Sequence, residues 1–261
     1  MIGAAVGSAS LALVLAFVPA SAGAGAARSP VALVAVPAHL ALDGTARASV
    51  RVTNSGTKPV EVVASRAGFA LDLRGRPLIA RSDGARSAAQ WLTFRPGRFA
   101  LEPRTSISLV VASKLPRHAE PGDHDALVLL STRPVRHARV AVRLRMGVVV
   151  VVRAPGNVVR RLELRGLRVA RRGNGRALEL VVANRGNVTE SLRRARAVVT
   201  RARSGRRVAT LVARSRELRP RTSGIIEFRL RGRPHGWMTA RVLIPAEPGR
   251  SRLQRTFRIR L

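Results

Sequence analysis

Arg51-Val52-Thr53-Asn54-Ser55-Gly56 and Leu180-Val181-Val182-Ala183-Asn184-Arg185-Gly186-Asn187 are two copies of one phrase, an apolar-rich run that stops at Asn-x-Gly. They stand about half the chain length apart and run on into Lys58-Pro59-Val60-Glu61-Val62-Val63 and into Val188-Thr189. Asn tolerates the left-handed backbone region and Gly enters it freely, so each phrase predicts a strand that reverses into a second strand as a hairpin. One such phrase per half predicts two similar β-sandwich modules in tandem.

The surrounding residues agree. In Ile226-Glu227-Phe228-Arg229-Leu230 the apolar residues fall on one side and the charged ones on the other, and Phe257, Ile259 and Leu261 alternate with Arg258 and Arg260 in the same way. A period of two recurs and a helical period does not, which is the pattern of strands with one buried face. Arginine at every second position reads as the wet face of a sandwich, its aliphatic stem covering apolar surface. Seven or so strands are expected in each half, near 31–36, 46–53, 60–66, 69–73 with 77–80, 105–112, 125–132 and 138–152 in the first. In the second they fall near 158–169, 176–183, 195–203, 206–213, 223–230, 237–244 and 251–260. Turn signals such as Arg74-Gly75, Pro96-Gly97 and Ser204-Gly205 separate them. The run Met146-Gly147-Val148-Val149-Val150-Val151-Val152 is apolar on both faces and ends at Ala154-Pro155-Gly156-Asn157, where proline stops pairing. The fold class expected is all-β: two immunoglobulin-like β-sandwich domains, residues 23–153 and 154–261, behind a signal peptide at 1–22. The short linker between them implies a fairly fixed angle with a cleft.

The signal peptide is read from the apolar run Ser10–Val18, then Pro19 and Ala20-Ser21-Ala22, which has the small-x-small form of a cleavage site. The run is too short to span a bilayer comfortably. The localisation that follows is extracellular or cell-envelope. No Lys or Arg precedes the run, so its retention as an anchor is the other outcome left open.

The formal net charge is +34, and Lys58 and Lys114 are the only lysines. Residues 23–152 carry 19 basic and 8 acidic side chains, whereas 153–261 carry 29 and 6. A GC-rich genome accounts for arginine over lysine but less well for the scarcity of acids. The surplus leaves two readings: a merely basic, solvated surface, or an anionic cell-wall polymer or a membrane surface as an electrostatic partner. Charge alone also permits nucleic acid, but an exported chain whose strands alternate Arg and Val has no reading head for it. There is no cysteine, which removes thiolate metal sites, thiol nucleophiles and redox chemistry.

No catalytic arrangement can be named. The five histidines, His39, His118, His124, His137 and His235, form no metal-binding spacing, and there is no phosphate loop or nucleophile elbow. The one cluster worth weighing is His118-Ala119-Glu120-Pro121-Gly122-Asp123-His124-Asp125, which could in principle gather a divalent cation. A tight Pro-Gly-Asp turn with the other side chains solvated is the stronger reading. Trp91 and Trp237 are the only tryptophans and tyrosine is absent, which counts against a stacking surface for sugars or single strands and assigns both tryptophans to the core. The chain is thus expected to be no enzyme, with no cofactor and no metal.

The order of Val52-Thr53-Asn54-Ser55-Gly56, Ser87-Ala88-Ala89-Gln90-Trp91-Leu92, Pro96, Phe99, Leu101, Pro103 and Pro121-Gly122-Asp123-His124-Asp125-Ala126 resembles the first domain of secreted pilus-chaperone-like proteins and of the WxL-interacting cell-surface proteins. Asn184-Arg185-Gly186-Asn187, Leu218-Arg219-Pro220 and Phe257 resemble the second domain of the same proteins. The resemblance spans residues 30–260 in layout. In the WxL-interacting proteins it implies wall binding by the first domain and partner binding by the second. In pilus chaperones it implies strand pairing with a client whose terminal carboxylate is gripped by basic residues in the cleft. The residues that the resemblance nominates for a partner are Arg143, Arg145 and Arg153, on and just before the strand that meets the boundary. The leading expectation is a non-enzymatic envelope binding or adhesion protein, and the alternative a chaperone-like assembly factor using strand donation from an exposed edge at Val148 to Val152.

Overall fold

The computed structural model describes residues 29–261 except 82, 83, 85, 138, 139, 174, 233, 246, 247 and 250, and the backbone alone over 135–142. The expected signal peptide lies outside the described residues.

Among the described residues the first half contains twelve strands. These are β1 (Leu33–Val36), β2 (His39–Asp43), β3 (Arg47–Asn54), β4 (Val60–Leu71), β5 (Pro77–Ala80), β6 (Leu92–Arg95), β7 (Arg98–Leu101), β8 (Ser106–Ser113), β9 (Gly122–Thr132), β10 (Val135–His137), β11 (Val140–Val142) and β12 (Arg145–Ala154). One sheet runs β1-β3-β8-β6 and the other β2-β12-β9-β4-β5, with β7 also paired to β4. Between the two sheets Val50, Val52, Leu92, Leu109, Val111, Val128, Leu130 and Val148 are fully buried, because alternation turns every second side chain inward.

The second half contains β13 (Leu162–Arg172), β14 (Gly175–Asn184), β15 (Glu190–Ser191), β16 (Arg196–Arg201), β17 (Arg207–Val212), β18 (Glu217–Leu218), β19 (Ser223–Leu230), β20 (Trp237–Ile244) and β21 (Leu253–Arg260). Sheets β13-β14-β19 and β17-β16-β20-β21 enclose a separate core that includes Leu178, Leu180, Leu192, Ile226, Phe228, Met238 and Ile244. The fold is all-β, two immunoglobulin-like sandwiches in tandem, and among the described residues the sole helical element is one short turn at Ala89–Trp91. No helix among them is long and apolar enough to cross a membrane.

The repeated Asn-x-Gly phrase does something other than make a hairpin. Asn54 ends β3 and the chain continues into β4 of the opposite sheet, so the phrase arches from one layer to the other; Asn184 ends β14 and the chain likewise leaves its sheet. Asn54 donates from Nδ2 to the carbonyls of Lys58 (2.9 Å) and Leu101 (3.0 Å) and accepts from Gly56 N–H (2.9 Å). Asn184 donates to Val188 (2.8 Å) and Leu218 (3.1 Å) and accepts from Gly186 N–H (2.9 Å). Two buried amides thus tie three strands' ends together by the same three bonds. Neither Gly56 nor Gly186 sits in the left-handed region. Glycine is required by proximity, since a Cβ would stand 2.7 Å from the Pro30 carbonyl at Gly56 and 2.2 Å from that of Val159 at Gly186.

Several element expectations shift. The expected strand 138–152 divides into β11 and β12, and the stretches 39–43, 92–95 and 98–101 prove to be strands as well. Trp237 is half exposed, with Arg258 stacked 4.7 Å from its ring centre. Met238, Ala240, Val242 and Ile244 take the inward places of β20, which puts Trp237 on the wet face by parity. Trp91 packs against the first core and meets the His124 ring at 4.3 Å.

Candidate functional site

The segment before β3 serves both sheets of the first sandwich. β1 pairs antiparallel with β3; beyond Pro37 the chain crosses over and β2 pairs in parallel with Val149–Arg153 of β12. This crossing leaves a corner in which the outer edge of β1 and the first part of β12 lack a neighbour. Val149 N–H donates to the Ala38 carbonyl (3.0 Å), and the Arg153 carbonyl accepts from Gly44 N–H (2.8 Å). Odd-numbered residues of β12 therefore direct their backbone groups away from β9. By the same alternation Arg145 and Gly147 present theirs to the open corner, where no described strand pairs with them. Val34 and Val36, 44% and 60% exposed, stand on the outer face of β1 beside Thr53 and Arg51, since Ala35 between them turns inward.

The exposed edge expected at Val148 to Val152 is thus corrected. Val148, Val150 and Val152 are fully buried, β2 covers Val149–Arg153, and the open part is Arg145–Val148. β2 was missed because His39-Leu40-Ala41-Leu42-Asp43 is a short alternation behind a proline.

The three nominated arginines are not brought together. Arg143 and Arg145 are exposed at the open end of β12. Arg153 lies eight residues along the strand from Arg145, about 26 Å at about 3.3 Å per residue. Its guanidinium forks onto Asp123, Nε to Oδ1 at 2.7 Å and Nη2 to Oδ2 at 3.1 Å.

That pair belongs to a polar seam between the sandwiches, which sequence reasoning did not find. Burial would raise the Asp123 carboxyl, but the Arg153 fork and the Thr189 N–H (2.7 Å) outweigh it and hold the group below the usual aspartate range. Asn187, at the end of the second Asn-x-Gly phrase, donates to the Pro121 and Asn157 carbonyls at 3.0 and 2.8 Å and takes the Asp123 N–H on its own carbonyl at 2.8 Å. Asp125 faces Arg219 at 3.2 Å, yet burial prevails and pushes its carboxyl up to about 6. Arg219 also lies over the Phe69 ring, 5.3 Å from its centre. At the other end of the seam Arg216 donates to the carbonyls of Leu73 (2.7 Å), Asp72 (3.1 Å) and Ile225 (2.6 Å), and burial lowers its pKa.

The His118–Asp125 cluster is accordingly not a solvated turn. β9 begins at Gly122, so Asp123, His124 and Asp125 enter the sheet and are buried, and His124 Nε2 meets the Glu120 carbonyl at 2.7 Å. Asp123 and Asp125 face arginines, an arrangement that suits structural ion pairs better than a cation.

A second repeat also escaped the sequence reading. Leu101-Glu102-Pro103-Arg104-Thr105 and Leu218-Arg219-Pro220-Arg221-Thr222 occupy equivalent places, with Arg104 and Arg221 left-handed at φ 61° and 58°. In each, the threonine hydroxyl donates 2.8 Å to the carbonyl three residues earlier. The leucine carbonyls of these two motifs are the acceptors of Asn54 and Asn184, so aligning the halves on the asparagines would have exposed them.

No family model matches the chain, and no curated protein matches it. Among solved structures it is similar to a chain of a chaperone–tip adhesin complex of CFA/I fimbriae biogenesis, at 12% identity over 86% of this chain and 98% of that one, with a TM-score of 0.48. It is similar also to a chain of the Salmonella enterica SafA pilin–SafB chaperone complex (15% identity, 90% and 99% covered, TM-score 0.45). A third is the Pseudomonas aeruginosa CupB2 chaperone (14%, 87% and 100%, TM-score 0.42).

Proposed function

We propose that the protein is an exported, non-enzymatic binding protein that works as a chaperone-like assembly factor, taking an extended segment of a client protein as an added strand. The site is the corner where β1 and β12 both leave an edge open. The observation that carries the reading is the unpaired backbone of Arg145 and Gly147, continuous with a strand that is otherwise sealed on both sides. An added strand gains main-chain hydrogen bonds there. Arg143 and Arg145 supply cationic charge beside it. Arg153 is instead engaged by Asp123 of the same sandwich, whose other oxygen accepts the Thr189 N–H of the second. Export is supported by the run Ser10–Val18 and the small residues at Ala20-Ser21-Ala22.

Gly147→Pro tests this reading. The Gly147 N–H points into the open corner, so proline there removes no bond to β9, while it blocks an incoming strand. Labelled ten-residue peptides of alternating Val and Thr should bind the parent protein and lose at least tenfold in affinity for the variant, whose melting temperature stays within a few degrees. Equal binding by the two proteins overturns the proposal.

A second reading, electrostatic attachment to anionic wall polymer or lipid, is favoured by one observation. Asp123, Asp125, Glu179 and Glu190 are buried against arginines, so four carboxylates among the described residues are withdrawn from the surface. Retention on isolated cell walls that declines steeply with salt supports it, and retention indifferent to salt removes it.

A further inference from the structure

The second sandwich has an open side of its own. β19 pairs with β14 alone and β17 with β16 alone, and between these two edges runs a groove of about 1240 Å³. Its floor is apolar, formed by Leu211, Ile226 and Leu230. One end is stopped by the β4–β5 hairpin of the first sandwich, where the Leu73 carbonyl accepts the Ile225 N–H at 2.7 Å and Arg216 caps the Ile225 carbonyl at 2.6 Å.

Those two bonds show which way β19 faces. Ile225 turns its backbone groups away from β14, and alternation gives Glu227 and Arg229 the same orientation. No described strand meets them. The hairpin therefore already acts on β19 as the first residue of an added strand, and the two positions beyond it are vacant.

The charge around the groove is one-sided. Among the described residues six arginines line it against two carboxylates, Glu217 and Glu227. Both carboxylates are spoken for, Glu227 by Arg172 and Arg229 (3.3 and 3.4 Å) and Glu217 by Arg219 (3.7 Å). Arg214 and Arg231 remain exposed on the rim.

We propose that this groove binds an acidic, extended peptide segment of a partner protein, which pairs its backbone with Glu227 and Arg229 along β19 and directs carboxylates to Arg214 and Arg231. The hydrogen-bonding edge selects an extended polypeptide, and the rim selects its sign. This site is separate from the corner at β12 and goes beyond the function proposed above.

The probe is a labelled ten-residue peptide of alternating Asp and Val, measured by fluorescence anisotropy at about 150 mM salt. It should bind the parent protein, whereas the Lys-Val peptide should not. An Asp-Val peptide N-methylated at alternate residues, which keeps the charge and cannot pair, should bind at least tenfold more weakly. Arg214→Glu with Arg231→Glu should lower affinity by at least tenfold, and Arg229→Ala, which removes charge but keeps the N–H, by a few-fold only. The β12 corner, flanked by Arg143 and Arg145, also admits an acidic strand, so the groove variants are made in the Gly147→Pro background, which should keep Asp-Val binding that Arg214→Glu with Arg231→Glu then removes; failure here and failure at β12 are thereby distinguishable. Equal binding of the methylated and unmethylated peptides, or full displacement by inorganic polyphosphate at equal charge concentration, overturns the proposal in favour of a groove that reads charge alone. Loss of Asp-Val binding in Gly147→Pro also overturns it, by moving the site to β12.

Discussion

Asn54→Asp and Asn184→Asp should each destabilise their own sandwich strongly at pH 7 and much less at pH 4. The exchange changes almost no volume. It replaces an amide that donates to two carbonyls by an oxygen that faces them, at positions that are 0% exposed. A carboxylate there would be buried, desolvated and repelled, so at pH 7 the folded state must hold the side chain protonated. Holding an acid of ordinary pKa about 3.9 neutral at pH 7 costs about 4 kcal/mol, at about 1.4 kcal/mol per pH unit. The protonated group has one O–H for two acceptors, which adds about 1 kcal/mol for the carbonyl left unmet. The folded pKa is raised, so the penalty is absent below the unfolded pKa and grows as pH rises above it. The expected loss is therefore about 5 kcal/mol at pH 7 and about 1–2 kcal/mol at pH 4. Asn→Ala at the same sites forfeits three hydrogen bonds, about 3 kcal/mol at either pH. The chain offers its own reporters, because Trp91 lies in the first sandwich and Trp237 in the second. Urea unfolding followed by fluorescence, with the other tryptophan replaced by Phe and each variant compared with its parent at the same pH, reads the two sites separately. A loss that does not change with pH, or one below about 1 kcal/mol at pH 7, would refute the assignment of these amides as buried donors.

The other predictions concern the seam and the arches. The Asp125 carboxyl titrates near 6 in the folded protein against an ordinary value of 3.8, so its contribution to stability is complete below pH 3.8 and is lost as pH rises through 6. Over that window the parent should lose about 3 kcal/mol from this group, and Asp125→Asn should flatten the fall in urea midpoint; an unchanged pH slope would refute it. Gly186→Ala should cost more than Gly56→Ala, because the added methyl meets a carbonyl oxygen at 2.2 Å rather than 2.7 Å. Thermal melts should rank them in that order, with the first at about 2 kcal/mol or more, and the reverse order would show that the arches relax differently.

Strand parity was the most legible feature. Ile226, Phe228 and Leu230 point inward and Glu227 and Arg229 outward, as their alternation requires. The doubled Asn-x-Gly phrase marks one equivalent element per module, but not its role, since a local rule about turns says nothing about which sheet the next strand joins. The corner at β12 was legible only as an apolar run. Whether Val149–Arg153 is sealed depends on β2, a partner more than a hundred residues distant. The seam was hidden for a similar reason. Asp125 and Arg219 look like surface charges until the two modules meet, and nothing in their neighbours announces a buried pair. Residue type alone sends Trp237 to the core, whereas parity with the buried Met238 puts it outside.

Glu179 sits fully buried on the outer side of β14 among Arg74, Arg168 and Arg172, the first of which comes from the other sandwich. Burying acids in this way adds to the cationic excess of the exterior, while several strands keep bare edges. Two copies approaching edge to edge must first bring like charges together, so mutual repulsion guards against the self-association that unsealed strands invite. A guest of opposite sign meets no such barrier, and the same coat that keeps sister molecules apart admits it.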